Sequence, residues 1–261
     1  MYVSDIHESL RSFVPIRLEE MDSIKLMNRV EAKFLFNVKR LPGLLDRLSG
    51  IYKILEIEHI RSFPYITTYL DTSEFLFYNQ QLTGKLARHK VRYRKYESSG
   101  MSFLEVKRRT NKNRTIKWRI ENSLIEDIPD ENAIDFIRGF IPGKALDLKP
   151  VLVNSFSRIT LAGIDLKERI TMDFNLKYSG PEGNISELPF LAIAELKKEG
   201  YSGNSPFANV LKQNGIRPTG FSKYCIGNAL LREMSRKNML KPKFLLINKI
   251  ENEYNKPYIA G

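Results

Sequence analysis

Lys90, Arg92 and Arg94 occupy every second position of residues 90–94, with Val91 and Tyr93 between them. In an extended strand that spacing puts the cations on one face and the apolar residues on the other. Glu105, Lys107 and Arg109 alternate in the same way with Leu104 and Val106, and Lys117 and Arg119 alternate with Ile116, Trp118 and Ile120. Like charges facing one another on neighbouring strands destabilise a sheet. A whole cationic face is tolerable either in open water or around a bound anion. One reading is a solvated outer face; the sharper one is a sheet curled so that the charges line a cavity.

The same division recurs along the chain, which favours the cavity. Arg29, Glu31 and Lys33 oppose Val30, Ala32, Phe34 and Phe36; Arg169, Thr171, Asp173 and Asn175 oppose Ile170, Met172, Phe174 and Leu176. Glu195 and Lys197 oppose Ala194 and Leu196, and Arg158 lies in another strand-like run. Carboxylates interleaved with cations suit a hard divalent ion, because Mg²⁺ or Mn²⁺ is commonly shared between one or two carboxylates and phosphate oxygens. Each acid also fits as a salt-bridge partner, with Glu195 the first choice as a ligand. Phosphoryl transfer needs positioning and charge neutralisation more than a protein nucleophile. His59 and His89 are weak candidates as general bases, since a lone histidine is usually structural or solvated. Tyr65, Tyr69 and Tyr93 are of a type that stacks on a nucleobase, although strand tyrosines are more often packing residues.

Composition sets the outer bounds. A chain of 261 residues, 42% hydrophobic and 28% charged, can bury one good core. A net charge of +12 and a pI near 9.6 favour polyanionic partners. The single cysteine, Cys225, excludes an intramolecular disulfide and a cysteine-rich metal site, and is expected buried in a helix. No apolar run approaches the roughly 20 residues that span a bilayer, and the start has no apolar leader core. A soluble, cytoplasmic setting is expected. No glycine-aromatic signature for RNA is present, so no nucleic acid partner is expected.

The elements that must position these residues follow in order. Residues 1–15 read as a loosely held lead-in and 16–27 as a first helix; strands are expected at 29–38, 53–59 and 65–70. Asp71-Thr72 reads as a helix N-cap for 73–82, with Gly84 ending that helix. Asn111-Lys112-Asn113 supplies a turn between the second and third cationic strands, as an antiparallel meander requires. An amphipathic helix is expected around Ile134, Phe136 and Ile137, strands at 151–161, 168–178 and 190–198, and helices at 206–214 and 222–236. The lysine-rich stretch 237–261 reads as a surface extension.

Taken together, Arg29-Val-Glu31-Ala-Lys33, Tyr69-Leu-Asp71-Thr72, Lys90-Val-Arg92-Tyr-Arg94, Phe103-Leu-Glu105-Val-Lys107, Lys117-Trp-Arg119, Arg169-Ile-Thr-Met-Asp173, Glu195-Leu-Lys197 and Ser222-Lys223-Tyr224 resemble the VTC domain, over residues 16–232. This is the catalytic polyphosphate polymerase domain of vacuolar transporter chaperone complexes, within the triphosphate tunnel metalloenzymes. The resemblance implies an α+β fold, with an antiparallel β-barrel tunnel flanked by helices in a single domain at 16–236. It also implies that Arg92, Arg94, Lys107 and Lys197 act on the transferred phosphate, and that Lys33, Lys117, Arg119, Arg158, Arg169, Ser222 and Lys223 bind substrate. Glu195 would hold Mn²⁺ or Mg²⁺. Arg29 stands where the wider superfamily often has a glutamate, which argues against a two-metal triphosphatase.

The implied activity is transfer of a nucleoside triphosphate's γ-phosphate, that of ATP first, to a growing polyphosphate chain, with a separate membrane partner compatible. Two alternatives stay open: hydrolysis of triphosphate in the same tunnel, and non-catalytic binding of polyphosphate or inositol polyphosphate.

Overall fold

The computed structural model describes residues 2–21, 29–112, 114–122, 129–141, 147–200 and 205–256. The chain opens with α1 (Tyr2–Arg11), β1 (Pro15–Ile16), α2 (Leu18–Met21) and β2 (Arg29–Asn37). After a 3-10 turn (Val38–Arg40) come α3 (Leu41–Asp46), β3 (Lys53–Leu55), β4 (Phe63–Asp71) and α4 (Leu76–Leu82). The cationic strands follow as β5 (Arg88–Tyr96), β6 (Ser102–Arg109) and β7 (Thr115–Glu121), then α5 (Glu131–Arg138). The sheet resumes with β8 (Lys149–Gly163), β9 (Glu168–Ser179), β10 (Ile185–Leu188) and β11 (Leu191–Glu199). The chain closes with α6 (Pro206–Gln213), α7 (Lys223–Leu231), a 3-10 turn (Lys237–Leu240) and α8 (Lys241–Asn255).

Among the described residues the sheet is antiparallel except where β1 pairs with β3. Its main path runs β2-β11-β9-β8-β4-β5-β6-β7, so β2 and β7 are the two ends and do not pair. The fold is therefore α+β, with one eleven-stranded sheet among the described residues. The sheet is strongly curled. Strands β6 and β11 are five steps apart along the path, about 24 Å in a flat sheet. Yet Lys107 of β6 and Lys197 of β11 lie close enough for one charge to depress the other's pKa. Lys33 of β2 and Lys90 of β5 oppose each other similarly.

Burial explains which face turns inward. The outward residues of β2, β11, β9 and β8, among them Phe34, Phe36, Met172 and Leu161, are covered by α1, α3 and α6 through Ile6, Leu10, Leu45 and Phe207. Those of β5 and β6, Val91, Tyr93, Leu104 and Val106, are covered by α4 and α5 through Phe77, Ala133 and Ile137. Each fully buried Leu, Ile or Phe contributes roughly 1.5–3 kcal/mol. With the apolar faces committed outward, the charged faces form the inner lining, called the bore below.

One end of the bore is filled. Tyr224, Cys225, Ile226 and Ala229 of α7, with Ile247 and Ile250 of α8, pack in one cluster with Leu35, Leu152, Leu176, Tyr178 and Ile193. A Cβ at Gly227 would stand 2.5 Å from the Tyr178 ring and 2.7 Å from Leu152, so glycine is what lets α7 lie against the sheet.

Local structure departs from expectation in several places. Residues 2–11, expected as a loose lead-in, form α1, with Ile6, Leu10 and Phe13 buried; residues 241–255 form α8, with Ile247 and Ile250 buried. Of the helix expected at 16–27, residues 18–21 form α2, Ile16 instead belongs to strand β1, where it pairs with Leu55, and 22–27 lie outside the described residues. Asp71 caps α4 as expected but from further off: its carboxylate accepts from the Thr72, Phe77 and Tyr78 amides, and the helix starts at Leu76. Asn175 does not share a face with Asp173. It takes a left-handed conformation (φ 54°) where the β8/β9 register shifts, which turns Leu176 and Tyr178 into the bore-end cluster while Phe174 stays outside. The turn between β6 and β7 is closed by Thr110 N–H donating to the Arg114 carbonyl at 2.8 Å; its Asn113 lies outside the described residues. No helix among the described residues is long and apolar enough to cross a membrane.

Candidate functional site

The bore is built around three carboxylates, each held by cations from different strands. Glu105, fully buried on β6, accepts from the Arg92 guanidinium at 2.6 and 2.7 Å, pairs with the Lys117 ammonium and has Arg94 at 3.9 Å. The register accounts for Arg92, which faces Glu105 directly across β5/β6, while Lys117 reaches it from two positions along β7. Burial pushes the Glu105 carboxyl up, but Arg92, Arg94 and Lys117 outweigh it and hold the group well below the usual carboxylate range.

Asp173 on β9 receives Arg158 of β8 in a two-pronged pair at 2.6 and 2.7 Å, and the Lys223 ammonium at 2.5 Å. Its pKa falls to about 2, because Arg158 and Lys223 overcome the opposing effect of burial. Lys223 also lies over the Phe156 ring, 3.1 Å from its centroid, and Phe156 stacks on Tyr65. Burial lowers the Lys223 ammonium to about 7, with Arg158 and Arg94 adding to the shift despite Asp173.

Glu195 on β11 pairs with Lys197 at 2.7 Å and has Lys33 of β2 at 3.8 Å from its other oxygen. Burial again opposes ionisation, and Lys197 and Lys33 hold the carboxyl well below its ordinary value. Glu105 and Asp173 have their oxygens engaged by close cation contacts, whereas Glu195 Oε2 has Lys33 only beyond hydrogen-bond reach. Among the three, Glu195 thus has room for a hard ion shared with phosphate and water. Among the described residues no three His, Cys, Asp or Glu side chains are grouped to hold a metal by themselves.

Lys107 is the remaining element. Among the described residues it makes no hydrogen bond or ion pair. Arg92 above all, then burial, Arg94 and Lys197, depress its pKa well below the ordinary lysine value against the opposing pull of Glu105. An ammonium held against two guanidiniums and a second ammonium is a strong anion attractor.

The structure brings Lys33, Arg92, Arg94, Lys107, Lys117, Arg158, Lys197, Lys223 and Glu195 together. Ser222 caps α7 by accepting from the Cys225 amide at 3.3 Å and meets the Lys90 ammonium at 3.4 Å. Arg119 is exposed with its guanidinium over Phe103, 4.9 Å from the centroid, and Arg169 faces Lys197 in register. The Arg29 side chain lies outside the described residues. His89 sits beside Phe77 on the outward side of β5, and His59 is fully exposed, so neither histidine lines the bore. Tyr65 supports Arg94 and Arg158 by cation–π contact at 5.7 and 5.2 Å, and Tyr93 is buried outside, so both are packing residues. Lys90 was not selected from the sequence as a site residue; the signal was its place two positions before Arg92.

No curated protein matches the chain. Solved structures similar to it include a candidate adenylate cyclase from Vibrio parahaemolyticus, at 13% identity over 82% of this chain and 99% of that one, with a TM-score of 0.44. Another is a candidate adenylyl cyclase from Hippeastrum, reported to reveal a dominant triphosphatase activity, at 12% identity over 79% and 98%, with a TM-score of 0.44. A third is the PH1819 protein from Pyrococcus horikoshii OT3, at 13% identity over 71% and 87%, with a TM-score of 0.37. The VTC domain family model matches residues 28–232, which contain every strand of the bore, and the chain belongs to the VTC domain family.

Proposed function

We propose that the bore transfers the γ-phosphate of a nucleoside triphosphate, ATP first, to the end of a polyphosphate chain. The observation that carries this reading is Lys107, a cation that makes no hydrogen bond or ion pair among the described residues and lies close to Arg92, Arg94 and Lys197 as well as Glu105. These four side chains would surround the transferred group. Lys33, Lys117, Arg119, Arg158, Arg169, Ser222 and Lys223 would hold the neighbouring phosphates, keeping the attacking and leaving oxygens in line. The terminal oxygen of the acceptor forms the new P–O bond as the bond to the nucleoside diphosphate breaks, and the cations neutralise the charge shared between them.

Glu195 is the residue that would hold Mn²⁺ or Mg²⁺, which when bound supplies further neutralisation of the phosphate oxygens. Membership of the VTC family supports the polymerase reading. A second reading, with water in place of the acceptor, is favoured by the packing of α7 and α8 across one end of the bore, which leaves less room for a long product. Incubation with ATP and Mn²⁺, with products resolved for polyphosphate and free phosphate, tests both. Metal-dependent polymer with matching ADP supports polymerisation, free phosphate alone supports hydrolysis, and neither product overturns the enzymatic reading.

A further inference from the structure

We infer that the turns at one end of β5, β6 and β7 form a docking surface for an anionic lipid bilayer, which Lys85, Arg108, Lys112 and Arg114 meet by charge and Leu86 and Ile116 by insertion among the headgroups. This surface lies outside the bore and does not depend on what the bore binds.

Strand register brings these residues to one place. Arg88 pairs with Arg109 and Arg109 with Thr115, so the turn before β5 and the turn joining β6 to β7 lie at the same end of three neighbouring strands. On the outward side of that end His89, Arg108 and Ile116 follow one another across β5, β6 and β7. The row spans two strand spacings, roughly 10 Å.

Cations accumulate here without compensation. From Val106 to Ile120 the chain has seven lysines and arginines and no acid. Arg88 stands directly opposite Arg109, an arrangement of like charges that destabilises a sheet. Burial, then Arg108 and Lys85, lower the His89 pKa, which places both cations beside that ring. Among the described residues the side chains of Lys85, Arg108, Lys112 and Arg114 form no ion pair. An anionic surface relieves the repulsion within such a cluster.

Two observations select lipid among the polyanions. Leu86 is 55% exposed and Ile116 41%, so aliphatic side chains stand among exposed cations, the combination that enters an anionic headgroup layer. Neither turn, residues 83–87 or 110–114, contains an aromatic residue on which a nucleobase could stack.

The test is vesicle flotation of the full chain at about 0.15 M ionic strength, with phosphatidylcholine alone and with phosphatidylcholine mixed with phosphatidylglycerol. The expected result is binding to the mixed vesicles and none to phosphatidylcholine. Lys112→Gln combined with Arg114→Gln should weaken that binding by about tenfold or more, with an unchanged unfolding temperature. Leu86→Ser should weaken it even at an ionic strength that screens the cations, and Lys107→Met, inside the bore, should leave it unchanged. Equal binding to both vesicle types, equal binding by the Lys112→Gln, Arg114→Gln variant and the parent, or a loss in Lys107→Met as large as in that variant overturns the docking surface. Double-stranded DNA held through Lys112 and Arg114, with no vesicle binding, overturns lipid as the partner and assigns a polynucleotide instead.

Discussion

Lys107 of β6 and Lys197 of β11 face each other across the bore although their strands are five steps apart in the sheet. That approach is possible only because the sheet curls, and the curl follows from apolar outer faces that α1, α3, α5 and α6 cover. Lys197 has Glu195 at 2.7 Å, while Lys107 has no such partner among the described residues. The bore is thus arranged to receive anionic charge.

Proton linkage should report this directly. Burial lowers Lys223 to about 7 and Lys90 to about 8, with neighbouring cations adding to both shifts. Their folded pKa values lie below the unfolded ones, so the unfolded chain binds more protons above these values, and this contribution to stability rises with pH. An anion in the bore restores the protons. Tripolyphosphate binding should therefore take up protons near pH 8 and weaken as pH rises through that region. Calorimetry in buffers of different ionisation enthalpy measures the uptake.

Glu105→Gln should be strongly destabilising, because it leaves Arg92, Arg94 and Lys117 without their shared counter-charge. Breaking a buried pair in this way costs about 3–5 kcal/mol. Urea unfolding should show a lower midpoint, and tripolyphosphate should recover more stability in the variant than in the parent.

Gly227→Ala should separate α7 from the sheet, since the added methyl meets Tyr178 and Leu152 well inside contact distance. Overpacking of this kind costs about 1–3 kcal/mol. Thermal unfolding measures it, and the displaced Ser222 and Lys223 should reduce phosphate affinity at the same time.

Glu195→Gln should abolish metal-dependent turnover while leaving tripolyphosphate affinity in the absence of metal within about threefold of the parent, because the carboxylate itself repels phosphate. Parallel turnover and binding assays separate the two effects. Unchanged turnover would remove Glu195 from the metal role.

Much of the bore was legible because side-chain alternation is local: Lys90 to Arg94, Glu105 to Arg109 and Lys117 to Arg119 declare their two faces within a few residues. The bulge at Asn175 was not, since it arises from pairing with β8, which the β9 sequence does not contain. The helix α8 was hidden by the polar residues around Ile247 and Ile250, which break up its apolar face. The contact of Lys90 with Ser222 was not legible, because it depends on where α7 brings a residue distant in sequence.

The most direct test is Lys107→Met, with stability and tripolyphosphate affinity measured on the same sample. Removing a half-buried cation that makes no ion pair should raise the unfolding temperature of the free protein while weakening tripolyphosphate by about tenfold or more. An unchanged affinity, or a fall in stability without loss of binding, would contradict the claim that Lys107 is held in place for an anion.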